Sequence, residues 1–431
     1  MHTIRSLSEL RIDAAPALVD DPAGIVVRRC PPRTPVTITA VVDAAGGRFR
    51  SEAKFEADDA GTVNTALAPS RSGTYTGVDP FGLWWSGEPL GPSDAPPSAP
   101  LTAQLHVETP DGSAESTVER AWLPPGATVT PVHQRGVSGL FARPAGPGPF
   151  PAVVAFTGSS GGLGAAAAWA PVLASHGFAT LAMAYFGAPG LPERLERIEV
   201  EVVERAVEWL GRRDDVLPGV AVMGLSRGSE LALLAGALLD GISAVVASAP
   251  SGVSWGALGA HGPIDAPAWT FGGEDLPYAP MIVPPGVDIA GPGPASLRPL
   301  FEYVLAAAPD AVRAAEIPVE RVRGPILLIS GGADAMWPST EMADIAVRRA
   351  ADHDFAHAIV HLRYPDAGHT CFGVPGTPVV VESGRHPLTG GVYTFGGTRA
   401  ANAAARTDSW SRMLDFLAAA LAVTDASPAA I

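Results

Sequence analysis

The sequence predicts two domains of different class: a small all-β sandwich over residues 1–125, and over residues 126–431 an α/β domain built on a mostly parallel sheet. Three observations carry this. The first third alternates apolar and polar side chains with a period close to two. After residue 126, short unbroken apolar runs alternate with helical stretches, as in a parallel sheet covered on both faces. A Gly-x-Ser-x-Gly pentapeptide, Gly224-Leu225-Ser226-Arg227-Gly228, lies where such a run meets such a stretch.

In the first domain, Val36, Ile38, Ala40 and Val42 alternate with Thr37, Thr39 and Val41, and 49–57 alternates again. Turns are expected at 43–47 and 58–61, the latter followed by a strand at 62–66. Strands 101–109 and 116–122 flank Pro110-Asp111-Gly112, a hairpin signature. Short strands at this spacing suggest a small sandwich. Residues 86–100 are rich in Pro, Gly and Ser and read as a long loop.

Pro124 to Thr130 marks the expected boundary. Beyond it, strands are expected at 152–156, 178–183, 220–223, 244–248, 326–330 and 358–362. Helices are expected at 165–175 and 230–239. A third helix is expected over 195–210, where Leu195, Ile198, Val202, Ala206, Trp209 and Leu210 form one stripe. The proline-rich stretch 251–296 reads as a cap over the sheet's C-terminal edge, and the tail after Thr424 as frayed.

Composition narrows the chemistry. A formal net charge of −15 without a basic cluster argues against nucleic acid as a partner. Lys54 is the only lysine and lies in a glycine-poor, strand-like stretch, which all but excludes Schiff-base and P-loop lysine chemistry. Cys30 and Cys371 form no C-x-x-C pair, so no zinc knuckle or redox dithiol is indicated, and no metal or cofactor is expected. Two free thiols, with no signal-peptide pattern and no membrane-length apolar run, suggest a cytoplasmic enzyme without a membrane partner.

The pentapeptide carries the functional reading. A strand that turns at once into a helix forces its serine into strained backbone angles. Flanking glycines relieve the crowding, and the helix start favours negative charge at the serine oxygen. A serine needs a base, and this architecture supplies partners in the chain order Ser, acid, His. Asp334 follows the strand at 326–330, within Gly331-Gly332-Ala333-Asp334. His369 follows the strand at 358–362, within Pro365-Asp366-Ala367-Gly368-His369. Asp366 is a rival acid, and His261 and His386 are weaker candidate bases. The expected catalytic set is therefore Ser226, Asp334 and His369. Backbone N–H groups of Arg227 and of Ser159 or Ser160, in Thr157-Gly158-Ser159-Ser160-Gly161-Gly162, are expected to form the oxyanion hole. That glycine run lacks the G-x-G-x-x-G spacing of a dinucleotide site. The Arg227 guanidinium would meet a substrate carboxylate or phosphate, pack under the sheet, or pair with an acid such as Glu230.

The chain also resembles the acyl-CoA thioesterase and bile acid-CoA:amino acid N-acyltransferase family. The likeness lies in 73–86, 136–144, Gly161-Gly162-Leu163, Ala184-Tyr185-Phe186, Leu191-Pro192, the pentapeptide, Asp334 with Trp337, Gly368-His369, Gly396-Gly397 and Asp408-Ser409-Trp410. The resemblance implies an immunoglobulin-like sandwich ahead of an α/β-hydrolase domain. It also implies a serine nucleophile of the hydrolytic branch, and an acyl thioester such as an acyl-CoA or a carrier-bound acyl group as substrate. Transfer of the acyl group to an amine or alcohol, cyclisation, and carboxylesterase or lactonase activity are the alternatives. A partner-binding protein with a vestigial triad is a further one.

Overall fold

A computed structural model describes residues 10–44, 46–95, 99–289, 293–381 and 383–422. The described residues fall into two compact units, one within Met1–Pro124 plus Val374–Val379, the other within Pro125–Gly373 plus Val380–Ile431. Among the described residues no helix is long and apolar enough to cross a membrane. The tail after Thr424 lies outside the described residues.

The first unit is two β-sheets. The larger orders Ala17–Leu18, Gly112–Ala121, Leu101–Thr109, Pro35–Ala44, Gly47–Glu56 and Ser72–Gly73, and the smaller orders Arg11–Ala14, Ile25–Arg28 and Val63–Asn64. The period-two pattern does its expected work: Val36, Ile38, Ala40 and Val42 are all buried. The expected hairpin closes with Thr109 opposite Gly112. Part of the expected loop at 86–100 is instead a strand, Glu88–Gly91, paired with Gly47–Glu56. All four of its residues are exposed, so no apolar alternation marks it. Residues 73–86 bury Tyr75, Phe81, Leu83, Trp84 and Trp85, and the buried Arg120 guanidinium lies 4.5 Å from the Trp84 ring centroid.

The second unit is an eight-stranded sheet: Thr128–Gln134, Val137–Arg143, Phe150–Phe156, Ala179–Ala184, Val216–Leu225, Ile242–Ser248, Ile326–Gly331 and Ile359–Tyr364. Numbered 1 to 8 along the chain, their spatial order is 1-2-4-3-5-6-7-8. Strands 1, 2 and 4 pair antiparallel, and every other pair is parallel. Strands 3 to 8 match the six expected apolar runs. The hairpin of strands 1 and 2 leaves little trace in the sequence because strand 1 is exposed at all but one residue.

The helix expected over 195–210 forms only over Glu201–Gly211. Leu195 and Ile198 are buried but extended: Leu195 bridges Leu258, and Ile198–Glu199 pairs with Trp269–Phe271. Their spacing continues the helical stripe although cross-strand pairing buries them. The helices Ser339–Asp352 and Arg399–Leu421 flank the late loops. Within 251–296 the chain forms a short hairpin, Gly256–Gly259 with Gly262–Pro267, and then a second antiparallel pair, Trp269–Phe271 with Glu274–Asp275.

Candidate active site

Strand 5 ends at Leu225 and the helix Arg227–Leu238 begins two residues later. Ser226, the single residue between them, has φ 55° and ψ −124°. For a residue with a Cβ, such a conformation costs on the order of 1–3 kcal/mol and persists only if the surroundings impose it. They do. The Ser226 N–H donates to Ser248 O on strand 6 at 2.9 Å, and its carbonyl accepts from the Ser229 N–H and Oγ at 2.8 and 2.6 Å. A Cβ on Gly224 would stand 2.0 Å from Gly228 O, and one on Gly228 would stand 2.2 Å from Thr157 O. The bend closes only because both positions lack side chains.

Asp334 and His369 meet. Asp334 lies past strand 7, His369 past strand 8, and His369 Nδ1 is 2.9 Å from Asp334 Oδ2. Both are buried, whereas the rival Asp366 is exposed. Asp334 Oδ1 accepts the N–H groups of Met336 and Trp337 at 2.9 and 3.2 Å. The two loops are held together by a third, around Gly396-Gly397: Asp334 bridges Gly396, Ala367 bridges Gly397, and the His369 N–H donates to Phe395 O at 2.8 Å. Asn402, buried on the last helix, accepts the Gly368 N–H at 3.1 Å. The Trp337 ring stands edge-on to the imidazole at 6.1 Å and continues into Phe301 and Trp255.

Ser226 opens onto a cavity walled largely by apolar side chains, among them Leu258, Pro263, Met281, Leu300, Phe301 and Trp337. Three of these come from the proline-rich stretch. Gly158, after strand 3, is close to the serine: a Cβ there would stand 2.9 Å from Ser226 Cβ. Gly158 and Gly161 close a turn, and of the two serines within it Ser159 lines the cavity. Tyr185 steadies this loop by directing its hydroxyl to Thr157 O and Gly158 O at 3.0 and 3.1 Å. Arg227 is the first helical residue, so its N–H is one of the donors a helix start leaves without an internal acceptor.

The Arg227 side chain resolves the choice the sequence left open. Its guanidinium lies 2.7 Å from Glu230 Oε1 and donates to Gly256 O and Trp255 O at 2.9 and 2.8 Å. Glu230 Oε2 in turn accepts Trp255 N–H and Trp269 Nε1–H. Burial raises the Glu230 pKa to about 7 against the pull of Arg227. The arginine is thus spent on the wall of the cavity. Substrate carboxylate recognition by it is not what the structure shows.

The structure joins Asp334 to His369 directly and sets Ser226 on the cavity. Among the described residues no hydrogen bond links Ser226 to His369. His261 is exposed on the hairpin turn. His386 lines the cavity and bonds Ser159. Tyr185 and Asn402 act through backbone atoms, for which sequence offers no local signal. Among the described residues no cluster of His, Cys, Asp and Glu is arranged to hold a metal. Cys30 and Cys371 are both buried free thiols.

Residues 20–134 match the family model described as acyl-CoA thioester hydrolase/BAAT N-terminal region, and residues 198–274 and 296–423 match BAAT/acyl-CoA thioester hydrolase C terminal. Acyl-coenzyme A thioesterase 2, mitochondrial, of Mus musculus is 32% identical over 410 residues, covering 92% of this chain and 86% of the mouse protein. The peroxisomal succinyl-coenzyme A thioesterase of Mus musculus is 31% identical, covering 92% and 93%. Acyl-coenzyme A thioesterase 1 of Homo sapiens is 32% identical, again covering 92% and 93%. Among solved structures, a putative dienelactone hydrolase from Klebsiella pneumoniae is similar at a TM-score of 0.40 and 14% identity, over 68% of this chain and 98% of that one.

Proposed function

The chain belongs to the acyl-CoA thioester hydrolase/BAAT family, and from that premise we propose that it hydrolyses an acyl thioester through an acyl-Ser226 intermediate. Asp334 fixes the His369 ring with its proton on Nδ1, leaving Nε2 as base. His369 takes the Ser226 proton as Oγ attacks the thioester carbonyl, then gives it to the departing thiolate. Water, activated by the same imidazole, releases the acid and restores Ser226. The N–H groups of Arg227 and of Ser159 or Ser160 receive the charge that develops on the carbonyl oxygen.

The observation that carries this reading is the buried 2.9 Å contact between Asp334 and His369, arising from the two loops that follow the strands next beyond the serine's neighbour in the sheet. The apolar wall of the Ser226 cavity favours an apolar acyl chain. A small-molecule thioester of coenzyme A or of a carrier is the partner in this proposal, and the cytoplasm its compartment. Intact-mass measurement after mixing with a panel of acyl-CoAs tests the reaction: an acyl adduct is expected on the wild type and none on S226A. An adduct that persists in S226A removes the nucleophile from the proposal.

A further inference from the structure

We propose that Ser159 is a catalytic hydrogen-bond donor to the reacting carbonyl, and that His386 is the positioning residue that turns the Ser159 hydroxyl proton toward the Ser226 cavity. The proposal rests on acyl transfer to Ser226.

The direction of each bond follows from what each atom is able to do. His386 Nδ1 lies 3.3 Å from the backbone N of Thr389. A peptide N–H only donates, so Nδ1 carries the lone pair, and the neutral ring holds its proton on Nε2. Nε2 lies 2.9 Å from Ser159 Oγ. That bond therefore runs from Nε2–H to Oγ. The serine oxygen is occupied as an acceptor, and its own proton is left to donate. Ser159 and Ser226 line the same cavity.

The imidazole is fixed on several sides. Its residue sits at the turn of a small hairpin, between Gly384–Arg385 and Val392–Tyr393. The His386 N–H donates to Gly391 O and its carbonyl accepts from the Gly390 N–H, both at 2.8 Å. The ring stands edge-on to Tyr393 at 6.0 Å. Burial pushes its pKa down to about 4, which keeps it neutral at ordinary pH and preserves the tautomer. The opposite assignment, with His386 as a base for Ser159, needs the proton on Nδ1. That proton would face the Thr389 N–H.

Ser159 also adjoins Gly158, which packs against the nucleophile. The Gly158 Cα faces Ser226 so closely that a Cβ there would stand 3.4 Å from Ser226 Oγ. In the step itself, the Oγ–C bond forms, the carbonyl electron pair moves to oxygen, and the Ser226 proton passes to His369. Collapse breaks the C–S bond and returns that proton to sulfur. The Ser159 proton is shared with the oxyanion throughout and is not transferred.

Stopped-flow acylation by p-nitrophenyl hexanoate tests this apart from the hydrolase reading. The wild type must release nitrophenol, in a burst where deacylation is the slower step, and S226A must not; release by S226A as fast as the wild type's overturns the proposed function before Ser159 enters. Given that burst, S159A is expected to slow acylation by roughly 10²-fold with the half-saturating ester concentration little changed, the size typical of one oxyanion donor. H386A is expected to slow it to a similar extent. H386Q, whose amide N–H also reaches toward Oγ, is expected to recover most of the rate, and S159A/H386A to be no slower than S159A. Melting curves on each variant check the fold. A burst in folded S159A as fast as the wild type's overturns the proposal, as does equal loss in folded H386Q and H386A.

Discussion

Asp334 presents its two carboxylate oxygens to different partners: Oδ2 to His369 Nδ1 at 2.9 Å, and Oδ1 to the backbone N–H groups of Met336 and Trp337. This division makes D334N a sharp test. The amide oxygen of asparagine must face the two N–H donors, so its NH2 group faces His369. Nδ1 then becomes an acceptor and the proton moves to Nε2, where the base should be. Turnover is expected to fall by roughly 10⁴-fold while the melting temperature changes little. A variant retaining a tenth of wild-type kcat would show that Asp334 is not the orienting acid.

The tight bend at Ser226 gives a stability prediction. In G228A the new methyl would stand 2.2 Å from Thr157 O and 3.0 Å from its carbonyl carbon, both backbone atoms. The loop after strand 3 and the helix after strand 5 would have to part, at a cost of about 1–3 kcal/mol or more. G211A is the control, since nothing lies within 4 Å of a Cβ there, and it should change unfolding free energy by no more than about 0.5 kcal/mol. Urea denaturation of both variants decides it. Equal midpoints would mean that the bend has room to spare.

The same contrast explains what was legible in the sequence. Ser226, Asp334 and His369 could be picked out because each follows an apolar strand, and strands 3 to 8 announce themselves by composition. The Asp334–His369 contact followed from chain order. What escaped was whatever depends on backbone atoms or on exposed edges: strand 1, with all but one residue exposed, the bracing of His369 through Phe395 O, and the Asn402 bond to Gly368. The stripe beginning at Leu195 misled because burial by cross-strand pairing leaves the same apolar mark as burial by a helix. His386 was visible as a histidine, but its role depends on a tautomer set by Thr389, which no spacing encodes.

Acyl preference follows from Arg227. It is a cation on the cavity wall, and its guanidinium is committed to Glu230, Trp255 O and Gly256 O. A succinyl group would bring its free carboxylate against Leu300, Phe301 and Trp337 without a free counter-charge. Desolvating an unpaired carboxylate costs several kcal/mol. The kcat/KM for hexanoyl-CoA is therefore expected to exceed that for succinyl-CoA by at least about 10²-fold. Steady-state comparison of the two thioesters checks this, and comparable values would mean that Arg227 releases Glu230 when substrate arrives.

Acid stability should depend on His386. Its pKa is lowered from 6.5 to about 4 by burial, and the folded site opposes protonation for a second reason. A cationic ring would present an N–H from Nδ1 to the N–H of Thr389, two donors facing each other. The unfolded chain therefore binds this proton first as pH falls. A group whose charged form is disfavoured in the folded state costs stability wherever the unfolded state is protonated and the folded state is not. The loss begins near pH 6.5, grows through the interval, and is complete near pH 4. His361 behaves in the same direction, also lowered to about 4 by burial, but it is present in both wild type and H386Q and cancels in their difference. Relative to its value at pH 7.5, the wild type should lose on the order of 1–3 kcal/mol more than H386Q by pH 4, read from urea midpoints at each pH. Parallel curves across that window would mean that His386 takes up its proton as readily in the folded protein as in the unfolded chain.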